Sequence, residues 1–198
     1  MSRYLRYGII EDLDTVRHIP VGSFGGVRLS FTPLTWLSPF VFFGLRLILM
    51  LILPGLSLTE RLADALVFAL AVEVANICHA FGHILSGKIV GSPMDELLIT
   101  ATRDANLYEG DQQRFPGHVH LGRALGGPVF NLIVAGLLYA GLPLLTPGLS
   151  QHLATRIADI NLFFGVGSFI PLPSVDGEVI WRELLRSLRA LFQRGGPA

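Results

Sequence analysis

Four stretches of the chain are almost continuously apolar, and each is about as long as a helix that crosses a bilayer. A hydrocarbon core of about 30 Å needs roughly 20 mostly apolar helical residues. The stretches cover residues 31–53, 62–85, 124–146 and 153–173. Only Arg46 interrupts the first, close enough to its end for the side chain to reach the lipid headgroups. The pattern predicts an all-α membrane protein with about four transmembrane helices.

Two further segments have other periodicities. Residues 94–111 alternate apolar and polar positions around Arg103 and Asp104, which is typical of a short β-hairpin between the second and third spans. Because an unpaired strand edge cannot face lipid, we expect the hairpin at the surface or inside protein. Residues 179–194 space apolar and arginine side chains helically, which predicts an amphipathic C-terminal helix on the membrane surface.

Composition supports lipid as the solvent of this chain. The mean hydropathy is +0.56 and only 15% of the residues are charged. The net charge of zero gives no reason to expect a nucleic-acid partner, and a single cysteine excludes a disulfide framework. The first thirty residues lack the apolar core of a cleavable signal peptide. We expect one membrane-embedded domain over residues 1–198, without a PDZ or CBS domain.

Basic residues concentrate in three regions, and their placement predicts orientation. The group before the first span is Arg3, Arg6, Arg17 and Arg28. The group between the second and third spans is Lys88, Arg103, Arg114 and Arg123, and the group after the fourth span is Arg182, Arg186, Arg189 and Arg194. We therefore expect a multi-pass protein of the cell membrane, with both termini and the hairpin in the cytoplasm. The oligomeric state does not follow from the pattern.

The second span ends with two histidines four residues apart. A four-residue step turns an α-helix by about 400°, so His79 and His83 project from one face, about 6 Å apart along the axis. A catalytic zinc takes three protein ligands and leaves one position open, and imidazole is a common ligand. Ionisable residues at membrane depth are costly and mark functional sites by default. We predict that both histidines bind Zn²⁺.

The third ligand is expected from Asp176, at the cytoplasmic end of the fourth span. Pro171 and Pro173 prevent a continuous helix there, and Gly177 allows the aspartate to turn back into the bundle. The alternative is a solvated aspartate in an interfacial turn. The third span is expected to pack beside these ligands through small residues, namely Gly126, Gly127 and Gly136.

These residues together resemble the site-2 proteases, zinc metalloproteases that cut substrate helices within the membrane. That family pairs HExxH on one span with a motif close to NxxPxxxxxDG two spans later, and HAFGH with SFIPLPSVDG looks like that pair. GGVRLSFTPLTWL resembles the strand before the family's first core helix, and LGGPVFNLIVAGLL its third core helix. The resemblance covers residues 20–182. It implies substrates that are transmembrane helices of membrane-tethered regulatory proteins.

Two positions depart from the family pattern. Ser168 stands where the family has an asparagine, and its hydroxyl can still donate to a substrate carbonyl or an oxyanion. Ala80 stands where the family has the glutamate that takes a proton from water and passes it to the leaving amine. General acid–base help is worth about 10² to 10⁴ in rate. Glu73 lies about 10 Å away along the helix, too far to replace it. We expect slow or undetectable hydrolysis.

Three functions remain open. The intact ligands around one alanine favour a deliberately inactivated protease, and a natural pseudoprotease that holds membrane helices without cleaving them is the alternative. A metal transporter would need ligands along the outer half of the second span, which offers only Asp64 and Glu73. A substrate strand would pair with the edge of the hairpin, at Leu97, Leu98, Ile99 and Thr100. The remaining histidines are read as ordinary polar residues: His18, His118, His120 and His152.

Overall fold

The computed structural model describes residues 15–173 and 175–194. Five helices account for most of these residues, and four strands form one sheet. The helices are α1 (Leu37–Leu51), α2 (Leu58–Ile89), α3 (Gly117–Gly141), α4 (Leu149–Gly167) and α5 (Asp176–Arg194). The strands are β1 (Ile19–Phe24), β2 (Val27–Phe31), β3 (Glu96–Ile99) and β4 (Asp104–Leu107). Arg3 and Arg6, used above to orient the chain, lie outside the described residues.

The sheet corrects the all-α prediction. Its strand order is β1-β2-β3-β4, with β1 antiparallel to β2, β2 parallel to β3, and β3 antiparallel to β4. The expected hairpin is therefore one half of a larger sheet, joined to the strand before α1 through pairs such as Arg28 with Glu96. Each half alone would leave backbone groups unpaired, and pairing β2 with β3 satisfies both.

The strand predicted to be a free edge is central instead. Leu97, Leu98 and Ile99 lie in β3, which pairs with β2 on one side and β4 on the other. Thr100 follows β3 and holds the turn, because its hydroxyl donates to the carbonyl oxygen of Arg103 at 2.6 Å. The expected substrate edge at these residues is therefore wrong. The edges of the sheet are β1 and β4.

The helices occupy the positions of the four predicted spans. Two of them, α2 and the helix from Gly117 continued by a 3-10 turn to Leu144, are long and apolar enough to cross a bilayer by length and composition. α1 is apolar but has 15 residues, and α4 has 19 residues with several polar ones. Two of the four expected spans thus meet the length and hydropathy requirement. Passage of α1 and α4 through the membrane stays a prediction.

α2 and α3 pack at backbone distance. A β-carbon on Gly82 would lie 2.6 Å from the β-carbon of Phe130, and one on Gly126 would lie 2.6 Å from the β-carbon of Ser86. Glycines at such a crossing allow the close approach of membrane helices. Gly136, expected to take part, has no described atom within 4 Å of where its β-carbon would be. The crossing therefore lies at the N-terminal half of α3, beside the predicted metal ligands.

Arg46 has a protein partner that the sequence pattern did not predict. Its Nε donates to Oδ2 of Asp64 on α2 at 2.6 Å, and its guanidinium lies 5.3 Å from the centre of the Phe68 ring. Asp64 also accepts from Arg156 of α4 at 3.1 Å. One carboxylate thus joins α1, α2 and α4 at the end of the bundle away from the histidines. Opposite charges that are largely buried pair because the cost of leaving either alone is high.

α5 packs against α3, which adds a protein contact to the expected surface helix. Ile180 and Glu183 of α5 are buried, and the Glu183 carboxylate lies next to Gly117 at the start of α3. Arg182 and Arg186 pair with the same carboxylate at 2.9 and 3.0 Å. Other apolar residues of α5 are exposed: Trp181, Leu184, Leu185, Leu188 and Phe192. Contact of this exposed face with a membrane surface stays a prediction.

Candidate metal centre

Three side chains from α2 and α5 converge at one point. Nε2 of His79 lies 3.0 Å from Oδ2 of Asp176 and 3.1 Å from Nε2 of His83. Nε2 of His83 lies 3.4 Å from Oδ1 of the same aspartate. The structure therefore brings together the three residues predicted from sequence. Their ligand atoms all lie within 4.8 Å of one another.

The spacing of these atoms suits one zinc ion. Zinc ligands lie about 2.0 to 2.2 Å from the metal in a tetrahedron, which puts neighbouring ligand atoms about 3.3 Å apart. The two imidazole nitrogens lie 3.1 Å apart, and each lies within 3.4 Å of one oxygen of the Asp176 carboxylate, which is close to this spacing. The donor set of two imidazoles and one carboxylate is also typical of catalytic zinc. His79, His83 and Asp176 therefore fit a zinc ion with one position left open.

The second ring nitrogen of His83 is positioned by α3. Nδ1 of His83 donates to the backbone carbonyl of Arg123 at 2.9 Å, which leaves the lone pair of Nε2 free to bind a metal. The Arg123 side chain is itself held by the carbonyl and hydroxyl of Ser92 and by Gln112. Its guanidinium lies 4.0 Å from the centre of the Tyr108 ring. Arg123 therefore aligns α3 with the ligand helix.

Asp176 starts α5 after a break in the helical chain. α4 ends at Gly167, and the segment that contains the two prolines leads to the first turn of α5. Gly177 makes the bend possible, because a β-carbon there would lie 2.7 Å from the carbonyl carbons of Phe169 and Ile170. Burial opposes ionisation of Asp176, but the two imidazoles hold its pKa well below the usual range. The carboxylate is thus ionised, as a metal ligand must be.

A cavity of about 210 Å³ opens beside the ligands. Its lining includes His83 and Asp176 and polar groups from β4, from the segment between β4 and α3, and from α3: Asn106, Tyr108, Gln112, His120 and Arg123. Asn106 and Tyr108 were not singled out in the sequence, where the alternation of the strand is the only signal for their direction. His120 was read as an ordinary polar residue, and the structure places it in the lining. Ser168 is not among the described residues that line the cavity, so its role stays a prediction.

The position of Ala80 is apolar. The residue is 5% exposed and belongs to a buried cluster that contains Val27 of β2 and Leu97 of β3, with Ile99 packed against it. The face of α2 that would carry the family's glutamate therefore lies against the sheet. Any carboxylate that serves the site from this side must be introduced there or come from the sheet.

The acidic residues in the N-terminal half of α2 have partners on neighbouring helices. Glu73 accepts a hydrogen bond from the hydroxyl of Ser38 at 2.8 Å, which joins α2 to α1. Asp64 is held by Arg46 and Arg156. A metal that passed through the bundle would have to break these contacts. The arrangement therefore disfavours a transporter.

Comparison with known proteins supports the fold. No family model and no curated protein matches this chain. Among solved structures, the site-2 protease from Methanocaldococcus jannaschii superposes with a TM-score of 0.62, over 86% of this chain and 73% of that chain, at 19% sequence identity. A likeness at this identity establishes the architecture and leaves the activity to be tested. The chain has the fold of a site-2 protease.

Proposed function

We propose that this chain is an intramembrane zinc metalloprotease scaffold of the site-2 protease type, which acts on transmembrane helices of membrane-tethered regulatory proteins. The observation that carries the proposal is the convergence of His79, His83 and Asp176, with ligand atoms within 4.8 Å of one another, in a bundle of this fold. Because Ala80 replaces the general base, hydrolysis by the chain is slow. Both termini lie in the cytoplasm, as the distribution of basic residues supports.

The substrate enters as an extended strand beside β4. Main-chain hydrogen bonds hold a peptide that adds to a sheet edge, and β4 is an edge that pairs only with β3 among the described strands. Asn106 of β4 and the nearby Tyr108 line the cavity that contains His83 and Asp176. A peptide paired with β4 would therefore lie next to the metal ligands. β4 replaces the central strand β3 as the proposed substrate edge.

The residues of the site then have separate tasks. Bound zinc supplies a Lewis acid for the scissile carbonyl and lowers the pKa of water. His79, His83 and Asp176 would hold the ion, and the carbonyl of Arg123 keeps Nδ1 of His83 protonated. The methyl group of Ala80 can neither accept nor deliver a proton, which removes about 10² to 10⁴ in rate.

The test restores the missing carboxylate. The Ala80→Glu variant, loaded with Zn²⁺ in liposomes with a transmembrane-helix substrate, should cleave that substrate at least about 10²-fold faster than the native chain. Ala80→Gln is the matched control, because the glutamine side chain has the shape of glutamate and cannot act as a base. Cleavage should disappear with a chelator and in the double variant Ala80→Glu, His83→Ala.

A zinc-loaded Ala80→Glu chain that cleaves none of several helical substrates would contradict the proposal. The glutamate must fit where Ala80 now packs against Val27 and Leu97, so the zinc content and thermal unfolding of the variant are measured with its activity. Zinc near one per chain and an intact unfolding transition show that a negative result concerns the chemistry rather than the fold.

A natural pseudoprotease is the second candidate, and one observation favours it. Ala80 is part of a well-buried apolar cluster, so the present sheet packs well around an alanine. A protein of this kind would bind transmembrane helices without cutting them. Crosslinking of a helical peptide to the native chain, unchanged after days with zinc, together with an inactive Ala80→Glu variant, would select this function.

A further inference from the structure

The face of the sheet that meets α2 carries the side chain of Asp104. Side chains directly opposite each other on paired strands project from the same face. Leu97 and Ile99 of β3 pack with the buried cluster that contains Ala80, and their partners on β4 are Asn106 and Asp104. Asp104 therefore lies on the face of the sheet that covers Ala80.

The charged neighbours of Asp104 indicate which part of α2 lies beside this residue of β4. Its carboxyl interacts electrostatically with Glu73 and with His83. Glu73 is seven residues before Ala80 and His83 is three residues after it, so the three residues lie within about 80° on one side of the helix. A group that interacts with both lies opposite the surface of α2 that Ala80 occupies.

Asn106 links this placement to the metal centre. It lies two residues beyond Asp104 on β4 and points to the same face. Asn106 lines the cavity together with His83 and Asp176. β4 therefore carries Asn106 at the cavity and Asp104 two residues before it on the same face of the sheet.

From this placement we infer that Asp104 supplies, from the β-hairpin, the proton-accepting carboxylate that α2 lacks at Ala80. The inference rests on the proposed function. In the reaction, the Asp104 carboxylate takes a proton from the attacking water while the water oxygen bonds to the scissile carbonyl carbon. The same proton passes to the amide nitrogen as the C–N bond breaks. The products are a carboxylic acid and an amine, and Asp104 returns to its ionised form.

The electrostatic environment of Asp104 suits this role. Burial raises its pKa to about 7, the negative charge of Glu73 adds to the rise, and His83 opposes it. Arg103 precedes Asp104 in the hairpin and interacts electrostatically with Asp176. A carboxyl group that titrates near neutral pH can both accept and deliver a proton.

A double-mutant cycle tests the inference. Asp104→Asn is made in the native chain and in the Ala80→Glu variant, with Glu109→Gln as the control, since Glu109 follows the same hairpin and its side chain is 73% exposed. In the native chain, Asp104→Asn should lower the residual cleavage of a transmembrane helix by about 10²-fold. With Glu at position 80 the same change should cost less than about threefold, because another base is present.

A second measurement does not depend on cleavage. In the Co²⁺-loaded chain, the visible absorption of the metal should titrate with pH, and Asp104→Asn should remove or shift that transition by about one pH unit or more. Glu109→Gln should leave it unchanged.

Four outcomes would overturn the inference: the same loss of cleavage in both backgrounds, no loss in either, cleavage by the Ala80→Glu variant alone, or an identical cobalt titration with and without Asp104. If neither background cleaves, the proposed protease function fails. The cobalt titration then decides whether Asp104 exchanges a proton with the site.

Discussion

A β-carbon on Gly127 would lie 2.6 Å from Cε1 of His79, so α3 meets the candidate metal centre with bare backbone. The same β-carbon would lie 2.6 Å from Nε2 of His83. Contacts this short force atoms to move, and the two rings are the atoms that a metal would hold in place. Gly127 is therefore required by the space that the imidazoles occupy rather than by backbone conformation.

We expect Gly127→Ala to reduce zinc binding at least tenfold while the bundle still folds, because the methyl group displaces both imidazoles. Gly136→Ala on the same helix is the control, since no described atom lies within 4 Å of its β-carbon position. Zinc content after dialysis against a competing chelator measures the effect. Equal zinc retention in the two variants would contradict the crowding at Gly127.

The ligand assignment predicts a steep loss of metal affinity. Removing one of three ligands, in His79→Ala or in Asp176→Asn, should weaken zinc binding by about 100-fold or more. His118→Ala is the matched control, because His118 is exposed near the start of α3. Competition titration with a zinc chelator gives the affinities. Wild-type affinity in the Asp176→Asn variant would remove this residue from the site.

The cluster around Asp64 predicts unequal effects on stability. Asp64→Asn leaves Arg46 and Arg156 without their shared carboxylate and should destabilise the bundle by roughly 3 kcal/mol. Arg46→Ala should cost less, because Asp64 keeps Arg156 as its partner. Thermal unfolding of both variants in the same detergent compares them. An Asp64→Asn chain as stable as the native one would show that the ion pairs contribute little.

The raised pKa of Asp104 predicts a pH-dependent gain in stability on its removal. The unfolded-state pKa of an aspartate is about 3.9, and the folded-state pKa is about 7. The free energy of unfolding of the native chain therefore falls as pH rises from about 4 to 7 and stays at the lower value above pH 7. The total loss is about a few kcal/mol at most. Asp104→Asn should unfold at a higher temperature than the native chain at pH 8 and at nearly the same temperature at pH 4, in metal-free protein. A constant difference across this range would contradict the raised pKa.

Local patterns were sufficient for much of this site. The four-residue spacing of His79 and His83 predicts a shared helix face, and the cost of ionisable groups at membrane depth marks them as functional. Two prolines before Asp176 predict the break that brings the aspartate to the ligands. The three side chains converge as predicted, because helix geometry and helix breaks depend on neighbours within a few residues.

Other features depend on contacts between distant segments. Arg28 and Glu96 pair across the sheet, and no local pattern states that the strand before α1 would lie beside the hairpin. For the same reason β3 was mistaken for an edge. Arg46 was assigned to the headgroups because its partner, Asp64, is on another helix.

The sequence by itself determined where the helices lie and which three side chains have the chemistry to hold zinc, because helical periodicity and the cost of buried charge are read within one segment. Only the tertiary structure decided that Gly127 makes room for the imidazoles, that β3 is central, and that Asp104 lies on the sheet face that packs on α2. Those relationships arise when separate elements pack, and packing is set by shape and pairing across the whole bundle.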